Sequence, residues 1–143
     1  MAGAFLSARI FLGRKRLVLR KDAATMKILL VENNTEMRRL LKSVIAEIAD
    51  EFYETGDGTE AVELYRAVRP DWVLMDVFMK PTDGLTAATA IIKANPGAKI
   101  VFVSNNTDKR TRESAKNVGA AAFFGKDELL GLLEFLRTEK SKD

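Results

Sequence analysis

A chain with neither histidine nor cysteine must run its chemistry on oxygen and ammonium groups. The missing histidine removes the commonest general base and transition-metal ligand. The missing cysteine removes disulfides, thiolate metal sites and thiol nucleophiles. Four places in the 143 residues put a suitable group directly after a short apolar run. Glu32 and Asn33 follow residues 27–31, Asp76 follows 72–75, Ser104 and Asn105 follow 99–103, and Lys126 comes just after 121–124. Taken singly, Asp76 suits a turn or helix cap, and Lys126 suits a solvated surface. Together they supply a nucleophilic carboxylate, a second acid, a hydroxyl and a lysine. An aspartate can accept a phosphoryl group as an acyl phosphate. An anion attacking an anion needs cationic help, here from Lys126 or a divalent metal. Mg²⁺ takes oxygen ligands and keeps several waters, so one or two carboxylates suffice. Neighbouring carboxylates also raise each other's proton affinity, which a cation relieves.

These groups can meet only if the apolar runs lie side by side. Residues 27–31 are short and rich in branched side chains, as in a strand covered on both faces. Asn34 and Thr35 offer caps for a helix whose stripe is Met37, Leu40, Leu41, Val44, Ile45 and Ile48. A weaker strand over 51–54 precedes a Gly56-Asp57-Gly58 turn and a helix over 59–68, closed by Pro70. Residues 72–75 form a third strand, and a loop with Pro81, Asp83 and Gly84 leads to a helix stopped at Asn95-Pro96-Gly97. A fourth strand over 99–103, a polar helix over 108–118 capped by Gly119, a fifth strand over 121–124 and a leucine-rich last helix complete the chain. Five strands alternating with five helices predict an α/β fold with a parallel sheet and helices on both faces. Ligands in such folds bind beyond the carboxyl ends of the strands, where all four candidate groups fall.

Composition bounds the rest. The length suits one domain, and 47% hydrophobic with 30% charged residues is a globular composition. No run approaches the roughly 20 apolar residues that cross a bilayer. The lack of cysteine fits a reducing cytoplasm. The net charge of +3 is unevenly spread, with +5 on residues 1–25 and −2 on the other 118. Three readings stand for that basic N-terminal extension: translation beginning at Met26, a disordered or weakly helical arm, or an amphipathic arm for a membrane surface or nucleic acid. The domain proper is taken as 26–143.

The stretches Ile28-Leu29-Leu30-Val31-Glu32-Asn33-Asn34, Val73-Leu74-Met75-Asp76 with Pro81, Asp83 and Gly84, Val101-Phe102-Val103-Ser104, and Gly119-Ala120 with Phe123 and Lys126 carry a resemblance. In order, spacing and strand context, residues 26–143 resemble the receiver domain of bacterial two-component response regulators, of the single-domain chemotaxis type. The resemblance implies a flavodoxin-like doubly wound sheet of five parallel strands, order 2-1-3-4-5, with five helices. It implies that Asp76 is phosphorylated by a histidine kinase or phosphotransfer protein. It makes Glu32, Asn33, Asp76 and the Phe78 carbonyl the Mg²⁺ site, Ser104 and Lys126 the phosphate-binding pair, and Phe123 an aromatic switch. A downstream protein partner would dock on the face of the fourth strand, fourth helix and fifth strand. No DNA-binding domain is expected.

The sequence also departs from that pattern. Asn33 stands where the family has an aspartate that binds the metal directly, so Mg²⁺ affinity is expected to fall, with Glu32 a candidate substitute ligand. Unit charges about 4 Å apart interact by about 4 kcal/mol at an effective dielectric near 20, before desolvation and screening. Asp127 replaces the proline after Lys126, putting the usual cis peptide there in doubt. Pro81 falls one residue late, which alters the loop after Asp76. Asn105 narrows access to Asp76, and Phe78 is expected to shield it from water. The competing reading is a degenerate receiver that binds partners without phosphorylation. A haloacid dehalogenase-type hydrolase is disfavoured because Phe78 stands where its second Asp belongs. A flavin site is disfavoured because no hydroxyl-rich loop follows the first strand.

Overall fold

Strands buried on both faces read as unbroken apolar runs, and the three central strands of the fold do so. The computed structural model describes residues 7–9, 18–20 and 26–142. Strand β1 (Ser7–Arg9) pairs antiparallel with β2 (Val18–Arg20) as a separate ribbon. No strand was expected there; the remainder of the 1–25 extension lies outside the described residues. The main elements follow as β3 (Lys27–Val31), α1 (Thr35–Ile45), β4 (Glu51–Thr55), α2 (Gly58–Val68), β5 (Trp72–Met75), α3 (Gly84–Ala94), β6 (Ile100–Ser104), α4 (Lys109–Asn117), β7 (Ala122–Gly125) and α5 (Leu129–Lys140). The five-stranded sheet is wholly parallel, in the order β4-β3-β5-β6-β7. Numbered from the first strand of the domain, this is the expected 2-1-3-4-5. The chain reverses its direction of travel across the sheet between β3 and β5, the place where such folds bind ligands.

Alternation along each strand sends side chains to opposite faces and so builds two cores. Leu29, Val31, Val73, Met75, Ile100 and Phe102 pack with Ala61, Tyr65, Ala87, Ala88, Ile91 and Ala115 of α2, α3 and α4. Ile28, Leu30, Trp72, Leu74, Val101 and Val103 pack with Leu41, Ile45, Leu132 and Leu136 of α1 and α5. Trp72, at the start of β5, meets Phe135 edge-on at 5.4 Å and carries the Lys99 ammonium 4.7 Å from its ring. Leu40 leaves the expected α1 stripe and is 47% exposed.

Local chemistry sets the helix ends. Asn34, Asp57, Asp83 and Asp108 each accept a backbone N–H of the first helical turn. Gly119, at φ 98, ends α4 as expected. Before Pro70, Arg69 ends α2 in the left-handed region, at φ 49.

Candidate functional site

All four predicted strand ends open on the same edge of the sheet. Val31 pairs with Met75, and Met75 with Phe102. Glu32 and Asp76 therefore leave adjacent strands one residue past the same level, and Ser104 ends the next strand over. Ser104 in turn pairs with Gly125, so Lys126 emerges beside it.

The ammonium of Lys126 joins the two acids. Its Nζ lies 2.9 Å from Glu32 Oε1 and 3.3 Å from Asp76 Oδ2. Glu32 is 2% exposed and Asp76 7%. Buried charge is tolerable only when paired and hydrogen-bonded, and both carboxylates meet that condition. Glu32 Oε2 accepts the Asn34 N–H at 3.0 Å, and Asp76 Oδ1 accepts the Phe78 N–H at 3.3 Å. Ser104 is fully buried; its Oγ accepts the Asn106 N–H at 3.0 Å, and its carbonyl accepts the Lys126 N–H at 2.9 Å. Asn33 is exposed. So is Phe78, at 56%. Among the described residues the cis peptide is Lys80–Pro81, not the bond after Lys126.

Burial, and then the neighbouring Glu32 charge, push the Asp76 carboxyl above its ordinary range, against the opposing pull of Lys126 and the Phe78 N–H. An acid raised in the folded state costs stability while it is ionised, and that cost fades as the pH falls through its folded pKa. Asp76→Asn should therefore raise the thermal midpoint at about pH 7.5 in EDTA, with the gain shrinking toward about pH 4. Paired melts at the two pH values check this; a gain that grows on acidification would contradict it.

Glu32 and Asp76 bring two carboxylates together on Lys126, oxygen donors of the kind that Mg²⁺ accepts. Among the described residues no cluster of three or more acidic, histidine or cysteine groups forms. The fit is thus to a metal that keeps most of its waters, sharing the two acids with Lys126.

Other positioning groups were not anticipated. Arg38 donates through Nη1 to the Glu32 carbonyl and through Nε to Glu54 at 3.0 Å, which pins the turn after β3. Thr59 and Thr82 share a 2.7 Å hydrogen bond that ties α2 to the acceptor loop. No motif spacing marks either contact, because each spans elements that touch only after folding. Beside Lys126 an open cleft of about 390 Å³ is walled by Asn34, Glu36, Met37, Leu40 and Asn105.

Comparison with known proteins agrees with this fold. The family model described as the response regulator receiver domain matches residues 28–134. The chemotaxis protein CheY of Halobacterium salinarum is 32% identical over 100 residues, covering 70% of this chain and 83% of that protein. The CheY of Thermotoga maritima is 35% identical over 101 residues, covering 70% and 84%. The crystal structure of the response regulator domain of Thermotoga maritima CheB superposes with a TM-score of 0.72 at 27% identity, covering 83% of this chain and 98% of that one. A parallel five-stranded sheet, an acid pair and lysine at its carboxyl edge, and a family match over most of the chain lead to one conclusion: this chain belongs to the response regulator receiver domain family.

Proposed function

We propose that this receiver takes a phosphoryl group on Asp76 from a histidine kinase or phosphotransfer protein and signals by binding a partner. The observation that carries the reading is Lys126 Nζ at 3.3 Å from Asp76 Oδ2, with Ser104 ending the neighbouring strand. In this reading the Asp76 carboxylate attacks the donor's phosphorus and the bond to the donor nitrogen breaks. Lys126 offsets the charge gathering on the phosphoryl oxygens, and the Ser104 hydroxyl donates to one of them. Glu32 and Asp76 would hold Mg²⁺ through charge, with Asn33 and the Phe78 carbonyl adding neutral oxygens. The bound ion supplies further charge neutralisation. Neutral Asn33 makes that affinity lower than an aspartate would. In the same reading a donor docks over the open cleft that Lys126 lines. Phe123 and the face of β6, α4 and β7 carry the state to the partner. The chain is a signalling module rather than an enzyme with a substrate of its own, and a cytoplasmic location belongs to the same reading.

A second reading, phosphorylation-independent partner binding, draws on one specific observation. Lys126 already engages both acids, and with neutral Asn33 no third acid joins them among the described residues. Incubation with acetyl phosphate and Mg²⁺, followed by intact mass measurement, separates the two. The proposal expects the parent to gain one phosphoryl group and Asp76→Asn none. No gain in the parent across a wide range of Mg²⁺ would overturn it in favour of the second reading.

A further inference from the structure

On the α4 side of the site, a second set of contacts binds together the loops that carry Ser104 and Lys126. The Arg112 guanidinium stands 4.8 Å from the centre of the Phe123 ring. Its Nε donates to the Thr107 carbonyl at 3.0 Å, and its Nη2 lies 4.0 Å from Glu128 Oε1. That same Glu128 oxygen accepts the Gly125 N–H at 2.6 Å. The loops also touch directly, since a Cβ on Gly125 would come within 2.9 Å of Thr107 Cγ2. Thr107 lies three residues beyond Ser104, and Gly125 immediately precedes Lys126.

One side chain thus spans α4, β7 and both phosphate-flanking loops. Two features separate Arg112 from an ordinary surface arginine. Helix α4 is strongly polar and buries only Thr111 and Ala115, so it has little apolar hold of its own on the sheet. Phe123 is only half-buried, and the guanidinium stacks on its ring, the geometry in which cation and ring quadrupole attract. A planar, always-charged fork can stack, donate and pair at once, which a lysine cannot.

We infer that Arg112 is a positioning residue that latches the 104–107 loop, the 125–128 loop and the Phe123 ring in the arrangement of the unphosphorylated protein. This rests on the proposed phosphoryl chemistry at Asp76. Lys126 Nζ already lies against Asp76, so a phosphoryl group there chiefly draws Ser104 Oγ toward itself, and the 104–107 loop moves with it. That movement pulls the Thr107 carbonyl away from Arg112, so the latch must open. Opening the latch costs free energy, so it lowers the apparent affinity for the phosphoryl state.

The test is an NMR titration of the ¹⁵N-labelled full chain with beryllium fluoride, a phosphoryl mimic, in the presence of Mg²⁺. It follows the amides of Ser104, Lys126 and α4 in the parent, Arg112→Ala, Arg112→Lys and Glu128→Gln. The last keeps the oxygen that accepts from Gly125 while losing the charge. Arg112→Ala should bind the mimic about fivefold more tightly, a gain of about 1 kcal/mol. Its free α4 amides should already lie displaced toward the bound positions. Arg112→Lys and Glu128→Gln should fall between Arg112→Ala and the parent. A merely structural role would lower the melting temperature without tightening binding. Equal or weaker binding by Arg112→Ala, or unmoved α4 amides, overturns the latch. A parent that does not respond at Ser104 and Lys126 overturns the phosphoryl reading itself, and the latch falls with it.

Discussion

Gly84→Ala should lower the thermal midpoint by about 10 °C, equivalent to about 3 kcal/mol. A Cβ on Gly84 would sit 2.0 Å from the Asp76 carbonyl oxygen and 3.1 Å from Val77 Cα. These are backbone atoms and cannot rotate away. The Gly84 N–H also donates to the Val77 carbonyl at 2.8 Å, so the first residue of α3 is held against the acceptor loop. Any side chain must therefore push α3 off the loop that carries Asp76 or bend the loop itself. Gly97→Ala is the control: a Cβ there meets nothing within 4 Å, and the change should stay within about 0.5 kcal/mol. Thermal melts of the two variants beside the parent decide the matter. Equal midpoints would mean the close approach is not maintained in solution.

Lys126→Met should cost about 2–4 kcal/mol at neutral pH in EDTA, and Mg²⁺ should return part of that loss. The substitution keeps the bulk and removes the charge. It leaves Glu32 and Asp76 buried together without the ammonium that now contacts both. Removing one partner from a buried ionic group costs more than the group itself contributes, because the remaining charge stays desolvated. Two relief routes follow. One carboxyl can take up a proton, and Asp76 is the natural one because burial and Glu32 already push its carboxyl up. The deficit should therefore shrink as the pH falls. The other route is a divalent ion, which binds the folded form without competition from Lys126 and raises its stability by mass action. Melts of parent and Lys126→Met in EDTA and in Mg²⁺ measure both. A variant as stable as the parent in EDTA would show that Lys126 does not offset the acid pair.

How much of this the sequence disclosed varies with the physics of each feature. The central strands were legible because both faces are buried, so β3, β5 and β6 are almost uninterrupted hydrophobic runs. Edge strand β4 was fainter, since Glu51 and Glu54 face water or polar partners and interrupt the pattern. Gly84 stood out as a loop glycine, but its reason, a backbone approaching Asp76, depends on where α3 docks. The four strand ends could be located, and the parallel order then brings them together. The pairing of Lys126 with Glu32 as well as Asp76 was not visible, because side-chain direction at a strand end follows from the surrounding loops. Arg38 and Arg112 had no signal at all: each acts on backbone or ring atoms of other elements. Leu40 matched the helical stripe of α1 yet lines an open cleft, because periodicity reports a face and not what covers it.

Trp72, the chain's single tryptophan, opens β5, while Asp76 lies just past the other end of the same strand. Four steps of extended chain put them about 13 Å apart. The indole is walled in by Phe135 of α5 and the Lys99 ammonium, at the end of the sheet opposite the acid pair. Intrinsic fluorescence thus works as a gauge of whether the α5-side core is intact and stays quiet through events at the acceptor edge. An optical readout of phosphoryl occupancy calls for a second fluorophore, installed near the cleft beside Lys126. With both probes in one molecule, unfolding and signalling become two separately coloured channels.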